Sequence, residues 1–402
     1  EQVAFSITTG SGTHISDSIA WIERLVRRYG SPNTIYGTEI CNWHKDFASR
    51  FTFGWDIGVP DFAGTDLIIL WGNNPAATWL ARSVEVQQAL KRGAKLIVVD
   101  PRPTFYARKA DCWLRVHPGT DQALVLAIAH RLLARGTFDG AFTRTWTNAP
   151  LLVRDDTERF LRESDLVAGG SLDVVVARNA TGEIMRYDGA AGAWLDAGDP
   201  ELYGEAVVDT LNGVVNCRTA LTSFREAAAE WPSDRAAGLT GVPVEMIDRA
   251  ADLIANASSV AYYAWNGVGQ SATATQTDRA LSILYALTGS YGAPGGNVPG
   301  AAARFADISG QEFVSPEQRA RTLGLDARPI GPGRSGWVTA RDVYRAILER
   351  DPYPVRMLVS FGGNLLAAQP DTALGQRALE ALEFHVHTDF FLNPSAVYAD
   401  IV

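Results

Sequence analysis

The chain has 402 residues, room for two or three domains at roughly 150 residues each, and its 47% apolar and 20% charged content suits buried cores rather than a disordered or fibrous chain. Thirty-six Lys and Arg against 45 Asp and Glu give a formal charge of −9, which argues against the broad basic surface that grips nucleic acid or an anionic membrane. Three scattered cysteines, Cys41, Cys112 and Cys217, form no CxxC clip and cannot ligate a four-thiolate iron–sulfur cluster within this chain; the most apolar stretch, 123–129, is far short of the roughly 20 residues of a membrane helix.

Residues 3–8 read as a strand and 15–29 as a helix. The clearest pattern follows at 61–130: an apolar run at 66–71, the loop Gly72-Asn73-Asn74-Pro75, an amphipathic stretch at 77–92 ending at Gly93, and a second apolar run at 95–100. Apolar runs alternating with helical periods predict βαβ units and a parallel sheet. A third short strand at 112–116 leads to Pro118-Gly119-Thr120-Asp121, an N-cap and first turn opening the helix 122–134 and leaving backbone N–H groups free. Short β-rich pieces around 170–195 predict a hairpin insertion. Helical periodicity returns at 219–230 and 243–256, with Pro243 at N1. A strand at 259–265, the loop Asn266-Gly267-Val268-Gly269-Gln270 and a helix at 275–288 begin a second series. A third runs from the strand 355–361 through Gly362-Gly363-Asn364 and a helix at 371–382 to a strand at 384–388. Residues 291–335 are rich in Gly, Pro and Arg without period, as functional loops often are. The chain opens at Glu1 and stops at Val402 inside an apolar run, which predicts a piece of a longer protein.

In open α/β sheets ligands bind beyond the carboxyl ends of the strands. The loop at Gly72, Asn74 and Pro75 is either a plain turn or a close backbone approach to a ligand, and Asp100 at the tip of the next strand is placed to accept from a ribose. The pattern is not GxGxxG. Several such glycine loops suit a large ligand bearing phosphates or heterocycles. Cys41, followed by Asn42-Trp43-His44-Lys45, is either a small packing residue or a thiolate favoured by nearby cations. Cys112 and Cys217 read as packing residues, as do His385 and His387, a pair on one strand face without an apparent third metal ligand.

Taken in order, DLIILWGNNP (66–75), VVDPR (98–102), HPGTD (117–121), WNGVGQ (265–270), ALTGSYGAPGGN (286–297), FGGN (361–364) and HTDFFLNPSAVYADIV (387–402) resemble the molybdopterin oxidoreductases of the dimethyl sulfoxide reductase family. The resemblance covers nearly the whole chain. It implies an α/β fold of two Rossmann-like domains with mostly parallel sheets: a discontinuous one at 1–45 and 256–402, and one at 46–255, each binding one pterin dinucleotide. An N-terminal iron–sulfur domain and a C-terminal cap would lie outside the chain.

The resemblance further implies two molybdopterin guanine dinucleotides carrying molybdenum or tungsten, with a cluster only in the missing N-terminal part. Cys41 matches the residue offered to the metal, and His44, three positions on, suits a proton carrier because an unperturbed imidazole titrates near neutrality. Gly72, Asn74, Pro75, Asp100, Arg102, Gly119, Thr120 and Asp121 match the pocket of one guanosine pyrophosphate arm. Gly267, Gly269, Gln270, Gly363, Asn364 and Asp389 match the other. Arg304, Arg319 and Arg334 would line a substrate funnel or lie on the solvated surface. Asn393-Pro394-Ser395-Ala396 departs from the family's Thr-Glu-Thr-Ala, and the residues after Cys41 look closest to the polysulfide, thiosulfate and phenylacetyl-CoA branch. The activity implied is two-electron redox on a small-molecule substrate. The partner implied is an electron-transfer iron–sulfur subunit, with no nucleic acid and no membrane insertion. Three alternatives stay open: a hydratase or transhydroxylase on the same cofactor, an NAD- or FAD-type enzyme, and an inactive fragment.

Overall fold

The computed structural model describes residues 1–7, 14–41, 47–54, 56–300 and 306–402. The chain divides into two compact units, one made of 44–300 and one of 1–43 with 301–402.

The 44–300 unit is built on four parallel strands in the order Val260–Ala264, Leu67–Trp71, Lys95–Val99, Cys112–Leu114. Leu67–Trp71 is buried at every position, as a strand covered on both faces must be. Alternation splits its side chains between two layers. Leu67, Ile69 and Trp71 pack with Leu124, Ile128 and Leu132 of the helix Asp121–Arg135 and with Ile247, Ile254, Leu281 and Leu284. Ile68 and Leu70 face Val86, Ala89 and Tyr106. Each such fully buried aliphatic side chain contributes about 2 kcal/mol.

The sequence predicts one helix over 77–92, but two form, Pro75–Thr78 and Leu80–Arg92, broken at Trp79 (φ −147°, ψ 71°). The Trp79 ring packs at 5.0 Å from Tyr263 and 6.0 Å from Trp265, so tertiary aromatic packing overrides the local period. Pro243 is the N-cap of Val244–Ala255 rather than its first residue. The expected hairpin is present as Val174–Arg178 paired with Ile184–Asp188. A second one, Glu205–Thr210 with Gly213–Thr219, joins Leu152–Arg154 in its own antiparallel sheet; its exposed Val207 and Val214 hid the alternation that reveals a half-buried strand.

The second unit holds four parallel strands in the order Phe384–Thr388, Met357–Phe361, Val3–Ile7, Thr34–Tyr36. Its core joins Ala4, Ile35 and Leu358 to Val343, Tyr344 and Ile347 of the helix Ala340–Glu349 and to Leu379 of Thr372–Ala381.

The division expected at 255/256 is not where the sheets divide the chain. Val260–Ala264 pairs residue for residue with Leu67–Trp71, so 256–300 belongs with the unit that begins at 44. Among the described residues no helix is long and apolar enough to cross a membrane.

Candidate functional site

In the 44–300 unit the first three strands run outward in one direction and the fourth is added on the other side of the first. The connections therefore diverge between Leu67–Trp71 and Val260–Ala264, and the loops at such a switch point are where open α/β sheets border a ligand crevice. Those loops are Gly72-Asn73-Asn74-Pro75 and Asn266-Gly267-Val268-Gly269. They touch through glycine: Gly267 donates its N–H to the Gly72 carbonyl at 3.1 Å, and a Cβ on Gly267 would stand 2.6 Å from the Gly72 Cα. Gly72 itself has φ +55°, a left-handed conformation that glycine adopts without strain.

The Oδ1 atoms of Asn73, Asn74 and Asn266 are buried there and accept no hydrogen bond from the described residues. A buried amide oxygen without a donor costs about 1–3 kcal/mol, so three on these two loops mark the place where N–H or O–H groups from a ligand or water would be most favourable. Asn73 and Asn266 were not among the residues picked out by sequence. Their signal, asparagine flanking a post-strand glycine, is also that of an ordinary turn.

The remaining residues at this sheet edge are held by the protein. Asp100 is buried, accepts from the Arg102 N–H at 2.8 Å and lies 3.9 Å from the Arg102 guanidinium. Arg102 is 76% exposed, so Arg102→Ala should change stability by less than about 0.5 kcal/mol in urea unfolding; a larger loss would show that the pair is structural. Gly119 (φ +86°) brings its loop beside Ser271, just past Gln270. Asp121 accepts from the Trp71 indole at 2.7 Å. Burial pushes its carboxyl above the usual range, while the bonds from Trp71 and from the Gly119 backbone pull the other way. The helix N-terminus expected to offer free N–H groups thus already has a carboxylate in its mouth, and Thr120 turns its hydroxyl to the His117 carbonyl.

Gly267, Gly269 and Gln270, grouped by sequence with Gly363, Asn364 and Asp389, belong instead with Gly72, Asn74 and Pro75, because their strand is in that sheet. Gly363, Asn364 and Asp389 form a separate edge in the other unit, where the strand order again switches between Met357–Phe361 and Val3–Ile7. Asp389 accepts from the Gly363 N–H at 3.1 Å and from Asn393 Nδ2 at 2.9 Å. Ser395 donates to Asn364 Oδ1 at 2.9 Å and accepts from the Leu366 N–H. The Asn393 and Ser395 that depart from the family string therefore brace both loops.

Below this edge, His385 and His387 are fully buried with ring centroids 5.7 Å apart. Among the described residues no third metal ligand joins them. Burial, with His387 adding to it and Asp400 opposing, pushes the His385 imidazole down to about 4. The unfolded chain protonates this group near pH 6.5, so its stability is intact above that pH and is lost as pH falls toward 4. By pH 5 the loss should be about 2 kcal/mol, and His387, pushed in the same direction by burial, adds to it. Urea midpoints at pH 7.5 and 5 should differ less in His385→Gln than in the parent chain; an equal difference would remove His385 from the account.

Cys41 ends the short helix Thr38–Cys41 and is exposed, whereas Cys112 and Cys217 are buried, with thiols pushed up to about 11 by burial. Iodoacetamide at pH 7.5 should modify Cys41 alone, a result read directly by peptide mass spectrometry; labelling of either buried thiol would contradict the packing. His44 and Arg304 lie outside the described residues, while Arg319 and Arg334 are exposed.

The molybdopterin oxidoreductase family model matches residues 1–402. The chain is 29% identical to a putative dimethyl sulfoxide reductase catalytic subunit from Halobacterium salinarum, over 85% of this chain and 39% of that protein. It is 27% identical to the alpha subunit of perchlorate reductase from Dechloromonas aromatica, over 85% of this chain and 42% of that one. Its fold is similar to that of acetylene hydratase from Pelobacter acetylenicus, with a TM-score of 0.71 at 21% identity, covering 99% of this chain and 48% of the other. The chain thus spans less than half the length of these proteins.

Proposed function

The chain belongs to the molybdopterin oxidoreductase family, and from that premise we propose that it is the cofactor-holding core of a two-electron oxidoreductase acting on a small molecule, working with an electron-transfer iron–sulfur subunit. The observation that carries the reading is the Gly72–Gly267 crevice with its three unpartnered asparagine oxygens. These residues fit the family's cofactor: bare glycine backbone admits close approach, and amides without protein partners await a polar heterocycle or sugar. When bound, that group supplies a molybdenum or tungsten centre able to take up or release two electrons.

The chain's own residues would bind and orient it. Gly72, Asn74, Pro75, Gly119, Thr120, Gly267, Gly269 and Gln270 would line one dinucleotide arm, with Arg102 countering a phosphate. Asp100 and Asp121, already bonded within the protein, would set the shape of that arm's seat. Gly363 and Asn364 would receive the other arm, with Asp389 holding the Gly363 turn. The Cys41 sulfur, exposed at the end of its turn, would be the donor to the metal; a thiolate is a soft ligand, and binding metal favours its deprotonation. His44 would carry a proton.

Redox chemistry is favoured over hydration because the two relatives at 27–29% identity are named as reductases, whereas the likeness to acetylene hydratase is one of fold. The test is metal and nucleotide analysis of the protein containing this chain with its flanking sequence. Molybdenum or tungsten together with two equivalents of GMP released by acid is the expected result; absence of both would sink the reading. Activity that needs no electron donor or acceptor would move the assignment to a hydratase.

A further inference from the structure

The stretch that carries Cys41 pairs on one side with Val3–Ile7 through Thr34–Tyr36, and on its other side it meets 337–340. Val338 donates its N–H to the Thr34 carbonyl at 2.9 Å and bridges to Ile35 in parallel fashion. The Trp337 and Tyr36 rings lie 5.5 Å apart. Two residues before Cys41, Glu39 Oε2 accepts the Ala340 N–H at 3.0 Å. Ala340 is the first residue of the helix Ala340–Glu349, whose N-cap Thr339 is already engaged with the Asp342 N–H. Glu39 therefore satisfies an end-of-helix donor that the local cap leaves open, and it does so from the turn that presents the thiol. Within that turn, Ile40 and Cys41 donate to the Gly37 carbonyl, at 3.3 and 3.2 Å. A four-residue helix is too short to hold itself in place.

We propose that Glu39 is the positioning residue for the Cys41 sulfur: by bonding to the first N–H of Ala340–Glu349 it fixes the Thr38–Cys41 turn against a rigid helix. This rests on Cys41 being the metal donor proposed above, but its test does not. A methanethiosulfonate nitroxide would label exposed Cys41 in the whole chain and leave buried Cys112 and Cys217 unmodified. Glu39→Ala should sharpen the nitroxide spectrum and speed amide exchange at Ile40 and Cys41 about tenfold, the scale of losing one hydrogen bond. Glu39→Gln keeps an acceptor oxygen and should restore the parent spectrum. Ala340→Pro deletes the same bond from the donor side at a position where proline suits a helix, and should reproduce Glu39→Ala.

An unchanged spectrum in Glu39→Ala, with faster exchange only in 340–349, would reduce Glu39 to a helix cap and overturn the proposal. So would a Glu39→Gln chain as mobile as Glu39→Ala. Loss of the metal-donor reading would show separately, as metal retained by Cys41→Ala with an unaltered metal spectrum, whatever the nitroxide reports.

Discussion

Gly267→Ala is expected to lower the stability of the chain by about 3 kcal/mol, the upper range for forcing a methyl into a packed site, and to release bound guanine nucleotide. The added Cβ would meet the Gly72 Cα at 2.6 Å and the Gly72 carbonyl oxygen at 2.9 Å. Backbone stands on both sides of that contact, so no side chain can swing away to make room. Gly267, unlike Gly72, has no positive φ, so the substitution isolates close approach from backbone strain. Gly93→Ala is the natural comparison: Gly93 has φ +104° at the end of Leu80–Arg92 and nothing within 4 Å of its would-be Cβ, and should cost only about 1 kcal/mol. Urea unfolding of the two variants, with GMP analysis of each, decides the matter. If Gly267→Ala is no more destabilised than Gly93→Ala, the two loops are free to part and do not form a tight floor.

The second large effect belongs to Cys41. Removing a group that merely hydrogen-bonds behind a metal ligand typically costs about 10- to 100-fold in affinity or activity; removing the ligand itself should cost at least about 100-fold. With Cys41 as the proposed metal donor, Cys41→Ala in the full-length protein is expected to lose turnover by that factor, with an altered metal spectrum. Cys41→Ser, which keeps a harder oxygen donor, should retain the metal with partial activity. Guanine nucleotide content should not change in either variant, because the crevice at Gly72 and Gly267 is built from other loops. Parent-like turnover and metal spectrum in Cys41→Ala would remove Cys41 from the metal.

The strands were legible where their chemistry is local. LIILW at 67–71 and KLIVV at 95–99 are apolar runs between turn residues, and such runs name buried strands without further information. Which sheet a strand joins is a different matter. VAYYA at 260–264 carries the same kind of signal, but its partner lies far away in sequence and is chosen by a crossover that no local pattern records. That one gap moved both the domain boundary and the grouping of Gly267, Gly269 and Gln270. At the site, glycines after strands announced the loops, whereas the unpartnered oxygens of Asn73 and Asn266 and the Glu39–Ala340 bond depend on three-dimensional neighbours. The role of Asp121 could not be read from Gly-Thr-Asp either, because its partner is the Trp71 indole.

The placement of Val260–Ala264 beside Leu67–Trp71 has a further consequence during synthesis. About 190 residues separate the ends of the two strands, and at roughly 5–20 residues per second a ribosome needs about 10–40 s to make them. For that time Leu67–Trp71 is an edge strand, apolar on both faces and with an unpaired row of backbone groups, the kind of edge that invites pairing with another chain. The proposed cofactor seat is therefore incomplete until a contact of high sequence separation has closed, and a nascent chain halted before residue 260 should be a substrate for holdase chaperones rather than for cofactor insertion.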